Sequence, residues 1–123
     1  MLEIKIPIIT VSEANSREHW SKRHKRATAQ KQAVRYLLAP LKTLMPSKPL
    51  KISFCRIFSG RKKPLDQDNL VGSFKAMTDE VASFINPGLQ AGRADDDPLL
   101  HWEYKQERGS DNFTKITIQS LDD

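Results

Sequence analysis

The chain has 123 residues, the size of one ordinary domain, and 38% of them are hydrophobic, so it can bury a core without disulfide staples. Its formal net charge is +5, and its only cysteine, Cys55, excludes an internal disulfide and suits a reducing cytoplasm. No run approaches the roughly 18 apolar residues of a membrane span, and no signal peptide opens the chain. We therefore expect an intracellular, cytoplasmic protein with no membrane partner.

The first half of the chain predicts a strand, a helix and a second strand. Residues 2–6 alternate apolar and charged side chains, as expected for a strand, and Pro7 closes it. Apolar residues recur near helical spacing over about residues 17–41, and Pro40 ends this predicted helix or nearly so. The apolar run of residues 50–58 predicts the second strand.

The second half predicts one helix followed by two strands. Helical spacing indicates a helix over residues 69–84. Its expected buried stripe comprises Leu70, Phe74, Met77, Val81 and Phe84 or Ile85. A loop over residues 86–97 then leads to strands at 99–109 and 113–121. The order β-α-β-α-β-β predicts one small α/β (α+β) domain over residues 1–123, with a mixed sheet and two helices.

Positive charge is concentrated in the first predicted helix and in the loop after the second strand. The candidate DNA-binding residues are Arg17, Arg23, Lys25, Arg26, Arg61, Lys62 and Lys63. Positive charge focused on one side of a protein attracts a polyanion, and nucleic acid is the commonest such partner. A solvated helix face that keeps the protein soluble is the alternative interpretation of each basic run taken singly.

Two aspartates, Asp66 and Asp68, stand two positions apart directly after the basic loop. Like charges this close are unfavourable unless a cation lies between them, and carboxylate oxygens suit a hard divalent ion such as Mg²⁺. A third acidic source, Asp95 to Asp97, precedes the next strand, so two separated segments can build one metal site. The alternative is that Asp68 and Asn69 cap the helix that follows.

Lys75 favours the metal site over the cap. It follows Asp68 by seven residues, about 10 Å along a helix axis, and helical side chains lean toward the N-terminus of the helix. Asp79, four residues later, can orient this lysine, and an ordinary surface pair is the alternative. An EF-hand is excluded because the sixth and twelfth positions from Asp66 lack the required Gly and Glu, and one cysteine with three scattered histidines makes zinc a weak candidate.

Taken together, these motifs resemble those of the RusA family of Holliday junction resolvases, in their phage and prophage form. The shared features are D-x-D-N-L at residues 66–70, a lysine and an aspartate on the following helix, and an aspartate pair before a strand. The stretch "NSREHWSKRHKRA" at residues 15–27 also looks like the N-x-R-x-HW-x-x-R pattern of phage members. The likeness covers about residues 4–118 in order and with similar spacing.

The resemblance implies a homodimeric, Mg²⁺-dependent endonuclease, with Mn²⁺ able to substitute, that binds four-way DNA junctions and nicks two opposing strands in recombination and repair. The residues that it assigns to catalysis are Asp66, Asp68, Lys75 and Asp96. Those that it assigns to the metal are Asp66, Asp68, Asp96 and Asp97, with Asn69 and Asp79 in support. Within the triple aspartate we favour Asp96, with Asp97 second, because "DDDP" resembles the "DDSP" of phage relatives.

Two other functions fit much of the same pattern. One is a metal nuclease for flaps or other branched DNA, and the other is a DNA-binding module without catalysis. The second is disfavoured because nothing structural demands the full set of three acidic positions and the lysine.

The remaining aromatic residues predict packing rather than chemistry. We interpret Trp20 as an anchor of the first helix on the sheet, with a DNA contact by Trp20 or His19 as the alternative. Trp102 and Tyr104 are expected in the core or in a dimer interface, and Cys55 is expected as a small core residue rather than a nucleophile.

Overall fold

A computed structural model describes residues 1–13, 19–89 and 93–122, and it shows an α+β fold in which helices cover one face of a four-stranded mixed sheet. The strands are β1 (Leu2–Ile6), β2 (Leu50–Phe58), β3 (Leu100–Arg108) and β4 (Phe113–Ser120). The helices are α1 (Trp20–Leu38), α2 (Gln67–Ser73) and α3 (Lys75–Ile85), with 3₁₀ turns at Ala39–Leu44 and Ala94–Asp96. Within the described ranges, no helix combines the length and apolar character needed to cross a bilayer.

The sheet has the order β1-β4-β2-β3, which makes β3 an edge strand. β4 is antiparallel to both of its neighbours, whereas β2 and β3 are parallel. Parallel strands need a long crossover connection, and α2 and α3 supply it. The predicted mixed sheet is confirmed, and the segment that carries the aspartate pair lies within this crossover.

The core forms on the helical face of the sheet, where alternate residues of each strand point inward. Ile4, Ile116, Phe54 and Tyr104 occupy one register row across all four strands. The Phe54 ring stacks on Tyr104 at a centroid distance of 5.4 Å and meets Phe74 at 5.2 Å. Trp102, one register row away on β3, also packs against this core, so the core prediction for the two β3 aromatics is confirmed.

The next register row toward the carboxyl end of β3 is polar. It consists of Thr114, Arg56 and Gln106, with the apolar Ile6 completing it on β1. Arg56 is buried, and its Nε donates to the carbonyl of Thr10 at 2.9 Å, while Thr114 bonds to the same segment after β1. Gln106 bonds to both the N–H and the carbonyl of Leu65. This row therefore fixes two loops to the sheet, and one of them leads directly into α2.

The first helix begins at Trp20 rather than at residue 17, and the interpretation of Trp20 as an anchor is wrong. Its side chain is 71% exposed, and its ring neighbour is His19, with centroids 5.4 Å apart. The physical reason is that burial along α1 begins only at Gln30, ten residues after Trp20. The buried residues of α1 are Gln30, Val34 and Leu38. Arg17 lies outside the described residues.

The single helix predicted over residues 69–84 is two helices that meet at a bend at Phe74. Gly72 has a low helix propensity, and the Ser73 hydroxyl donates to the carbonyl of Leu70 at 2.7 Å, a back-bond that bends helices. The same hydroxyl lies 2.9 Å from Oγ1 of Thr10, so the segment after β1 holds the bend in place. The predicted order of elements is therefore one helix short.

Candidate functional site

The aspartate pair lies where the chain enters α2. Asp66 is the N-cap: its Oδ1 accepts from the Asn69 N–H at 2.9 Å, and its Oδ2 accepts from the Asn69 side-chain amide at 3.0 Å. The alternative that Asp68 and Asn69 form the cap is wrong, because the helix begins two residues earlier than predicted. Asp68 is exposed in the first turn, and its carboxylate has no hydrogen-bond or ion-pair partner among the described residues. The cap accounts for Asp66, whereas Asp68 has only the general preference of a negative charge for the first turn of a helix and no side-chain partner among the described residues.

The loop in front of this pair is tied to the edge strand at two points. Gln106 holds Leu65, the residue directly before Asp66. Arg108 donates to the carbonyls of Gly60 at 2.8 Å and Lys62 at 3.3 Å. The basic loop and the first aspartate are therefore held at the carboxyl end of β3, next to the carboxyl end of the parallel strand β2, where α/β sheets usually bind ligands.

The predicted pairing of Lys75 with Asp79 is present. Their side chains meet at 3.2 Å, and the lysine is 70% exposed whereas the aspartate is 20% exposed. Lys75 is the first residue of α3, so the bend at Phe74 separates it from the turn that carries Asp68. An exposed i,i+4 pair contributes only a few tenths of a kcal/mol to helix stability, so it leaves the lysine able to exchange partners.

Within the triple aspartate, Asp97 has a structural role. It accepts hydrogen bonds from Lys48 at 2.7 Å, from the Leu99 N–H at 2.9 Å and from Asn86 at 3.1 Å. The Lys48 and Leu99 hydrogen bonds lower the pKa of Asp97 to about 2. These contacts join the end of α3 to the start of β3. The expectation that Asp97 is a metal ligand stays a prediction, and the fold already uses its carboxylate.

Asp95 and Asp96 face different surroundings. Asp96 is exposed, whereas Oδ1 of Asp95 is buried and has no hydrogen-bond partner in the part of the chain that the structure describes. The Asp95 carbonyl accepts from the Trp102 indole N–H at 3.2 Å, which fixes this turn against β3. The preference for Asp96 as the metal ligand stays a prediction from motif similarity. The buried, unpaired oxygen makes Asp95 the better candidate on geometry.

Tyr104 connects Asp95 with the lysine pair. Its hydroxyl lies 3.0 Å from the Thr78 hydroxyl on α3. Burial raises the pKa of Tyr104, and the negative charges of Asp95 and Asp79 raise it further. The hydrogen bond with Thr78 and the positive charge of Lys75 lower this pKa. The Tyr104 hydroxyl therefore lies within electrostatic reach of Asp95, Lys75 and Asp79 together.

The two acidic segments flank one stretch of the edge strand. Trp102, Tyr104 and Gln106 share a face of β3, and a strand rises about 3.3 Å per residue, so the anchor points of Asp95 and of the Asp66 loop lie about 13 Å apart. Within residues 1–13, 19–89 and 93–122, no three His, Cys, Asp or Glu side chains form a ready metal-binding group. Because Mg²⁺ in phosphate-cutting sites commonly takes one or two protein carboxylates plus substrate phosphate, the hard oxygen donors present still fit this ion.

Most of the predicted DNA-binding residues project into solvent. The exposed ones are Arg23, Lys25, Arg61, Lys62 and Lys63. Arg26 differs because its Nε and Nη2 each lie 2.7 Å from the Glu13 carboxylate, in a bidentate pair. This pair ties the segment after β1 to α1, so Arg26 has a structural partner in addition to its predicted role.

Two residues that hold the site were not identified in the sequence. Gln106 and Arg108 continue the two-residue alternation that begins with Trp102 and Tyr104, so they lie on the inward face of β3. A polar side chain at an inward position of a strand is a signal that it binds another part of the backbone. That signal was available, but it does not reveal which loop is bound.

No protein-family model, no curated protein and no solved structure matches this chain. The resemblance to the RusA resolvases therefore stays a prediction from the motifs.

Proposed function

We propose that this chain is a Mg²⁺-dependent, structure-specific endonuclease that resolves four-way DNA junctions, as its motifs imply. The observation that carries the proposal is the buried Oδ1 of Asp95, which has no partner among the described residues and lies in a turn that Trp102 holds against β3. The charge of Asp95 acts on Tyr104 together with the charges of Lys75 and Asp79. Burying a carboxylate oxygen without a partner is unfavourable, so such a group calls for a cation or a donor from outside the chain.

Asp66 and Asp68 would hold a divalent cation together with a substrate phosphate. Asp95, whose anchor point lies about 13 Å away along β3, would act from the other side of the site. The ion, when bound, would supply an activated water and charge neutralisation at the phosphate. Lys75 would donate to a phosphate oxygen as negative charge develops, and Asp79 would hold the ammonium in position until the substrate arrives. Asp95 replaces Asp96 in this preferred set because Asp96 is exposed and lacks any described contact that directs it to the site.

The proposed substrate is branched DNA, bound by a homodimer. The exposed cations beside the Asp66 loop and on α1 favour a polyanion, and such binding weakens steeply with salt. A four-way junction has approximate two-fold symmetry, and an isologous dimer, the commonest oligomer, presents two matched sites to it.

Asp68→Asn is the sharpest test because Asp68 has no described contact that the fold needs. We expect the variant to fold and, without divalent cation, to bind a four-way junction at least as tightly as the parent chain, because one repelling charge is removed. Mg²⁺-dependent cutting should fall by at least a hundredfold. Asp111→Asn, an exposed aspartate in the turn between β3 and β4, is the matched control and should cut normally. Normal cutting by Asp68→Asn would contradict the proposal.

Three single variants decide which residue of the triple aspartate acts in the site. Asp95→Asn should abolish cutting in a folded chain, Asp96→Asn should retain it, and Asp97→Asn should mainly lower stability. Mn²⁺ added to the ¹⁵N-labelled chain should first broaden the amide signals of residues 66–69 and 94–96. A loss of cutting with Asp96→Asn but not with Asp95→Asn would restore the motif-based assignment, and an absence of broadening at both segments would contradict the metal site.

A DNA-binding module without catalysis is the second candidate, and the use of Asp66 as a helix cap favours it. Under this function the parent chain would bind junctions but cut no DNA with Mg²⁺, and Asp68→Asn and Asp95→Asn would also bind without cutting. A metal nuclease for flaps would instead lose cutting in the same variants and prefer flap substrates over four-way junctions in competition assays.

A further inference from the structure

A groove lies between α1 and the bend that joins α2 to α3, and we call it the α1–α3 groove. Its volume is about 450 Å³, within the range of about 300–1,000 Å³ that is typical of small-molecule sites. Small residues form much of its wall, namely Ala27 on α1 and Gly72 and Ala76 on the two sides of the bend. Lys75 also lines it, so the groove adjoins the proposed cutting site.

The groove contains a polar side chain that the fold leaves unsatisfied. Gln30 lines it, is only 2% exposed, and its Nε2 has no hydrogen-bond partner in the described part of the chain. Buried amide donors are nearly always paired, so this one calls for a partner from outside the fold. The terminal torsion of glutamine is broad, and a rotation there can aim the donor at a group inside the groove. One ordered water, with a volume share of about 30 Å³, would leave most of the groove empty.

The charges around the groove favour an anion. Its cationic residues are Arg23, Lys31 and Lys75. Of its two carboxylates, Glu13 is paired with Arg26 at 2.7 Å and Asp79 is paired with Lys75 at 3.2 Å. Both acidic side chains are therefore neutralised, and Lys31 supplies positive charge at the rim. Lys75 adds its charge when it exchanges Asp79 for a phosphate.

We propose that the α1–α3 groove holds one unstacked nucleotide of the DNA that this nuclease cuts, with the base between the small walls and an acceptor atom of the base on Gln30. The phosphate of that nucleotide lies at the rim, against Lys31 and Lys75. This inference rests on the proposed function and adds a nucleotide subsite to it. A base fits because it is flat, carries ring-nitrogen or carbonyl acceptors, and stacks on apolar walls. Unstacking is least unfavourable where DNA is already unpaired, so the subsite also favours branch points over intact duplex.

Gly72 offers a way to block the groove without disturbing the fold. A Cβ placed on Gly72 meets no atom within 4 Å, and its backbone is not in the left-handed region. Leucine has a much higher helix propensity than glycine, and the Ser73 hydroxyl still holds the bend through Leu70 and Thr10, so Gly72→Leu should fold at least as well as the parent chain. Val71 precedes Gly72, is exposed and does not line the groove, so Val71→Leu is a matched control.

The test is an NMR titration of the ¹⁵N-labelled chain with each deoxynucleoside 5′-monophosphate, without divalent cation. Deoxyribose 5-phosphate serves as the probe that has the phosphate and sugar but no base. We expect the nucleotides to shift the Gln30 side-chain amide and the Gly72 backbone amide, and to bind at least tenfold more tightly than the sugar phosphate. Gly72→Leu should weaken binding at least tenfold, and Gln30→Met roughly three- to tenfold, as expected for one hydrogen bond. Val71→Leu should bind as the parent chain does.

Equal binding of nucleotide and sugar phosphate would overturn the inference in favour of a simple phosphate site, and undiminished binding by a folded Gly72→Leu would place the nucleotide elsewhere. These outcomes are independent of cutting because no metal is present. If nucleotides bind in the groove but the chain cuts no DNA with Mg²⁺, the proposed nuclease function fails while the subsite stands. If cutting of four-way junctions is normal in Gly72→Leu, the subsite plays no part in the reaction and the inference fails alone.

Discussion

Replacing Gln106 by methionine should release the loop that carries the first aspartate. The change keeps the side-chain length but removes both hydrogen bonds to the backbone of Leu65. A typical intramolecular hydrogen bond contributes about 0.5–1.5 kcal/mol, so the pair contributes about 1–3 kcal/mol to the free energy of unfolding. With an unfolding entropy of about 2.1 cal/mol/K per residue over this chain, a loss of about 2 kcal/mol lowers Tm by roughly 8 °C.

Denaturant unfolding and amide hydrogen exchange measure this effect together. Gln119→Met is the matched control, since Gln119 is also a half-buried strand glutamine but lies on the open face of the sheet. We expect the control to change stability by less than about 0.5 kcal/mol and Gln106→Met to speed exchange of the Leu65 amide. If Gln106→Met unfolds within about 0.5 kcal/mol of the parent chain and the Leu65 amide exchanges at its original rate, the polar row does not hold the loop and our account of how Asp66 is positioned fails.

Three further predictions concern single side chains. Asp66→Ala should lower the free energy of unfolding by about 1 kcal/mol and Asp66→Asn by much less, because asparagine also caps helices; urea titration compares them. The pKa of Asp97 is lowered to about 2 in the folded chain, so this carboxylate stabilises the fold above about pH 4 and loses that effect as the pH falls toward 2. Over this pH range, the free energy of unfolding of the parent chain should fall more steeply than that of Asp97→Asn. In a background without the other tyrosine, Asp95→Asn should lower the pKa of Tyr104 in an absorbance titration, because a nearby negative charge that raises it is removed, whereas Asp96→Asn should leave it unchanged.

The strands were predictable because each shows a local pattern that the sheet uses directly. Alternation in residues 2–6 and the apolar run in residues 50–58 match β1 and β2. β3 is one residue shorter than predicted at each end, and β4 is one residue shorter at its carboxyl end. The bend at Phe74 was not predictable in the same way. It depends on the Ser73 hydroxyl, which is held by Thr10 from a segment 63 residues earlier in the chain. The helical spacing of apolar residues cannot reveal such a long-range contact.

In the candidate site too, local contacts were predictable from the sequence and tertiary contacts were not. The contact between Lys75 and Asp79 was predictable because an i,i+4 spacing brings helical neighbours together. The separate environments of Asp95 and Asp97 were not predictable, since three adjacent aspartates look alike until tertiary contacts distinguish them. Lys48 and the β3 backbone engage Asp97, while the turn buries one oxygen of Asp95. Motif similarity alone cannot distinguish the environment of Asp95 from that of Asp97.

Helix capping and metal binding do not compete for Asp66 as directly as the two interpretations suggest. An ionised carboxylate has about four lone-pair sites, and Asn69 occupies one on each oxygen of Asp66. Two sites remain for a cation, and the cap fixes the rotamer in which they are presented. Finding Asp66 as a cap therefore leaves the metal proposal intact and makes Asp68 the discriminating residue, because the described fold gives Asp68 no other partner. Capping needs only the carboxylate of Asp66, so the cutting assay on Asp68→Asn, in the first turn of α2, separates metal binding from capping.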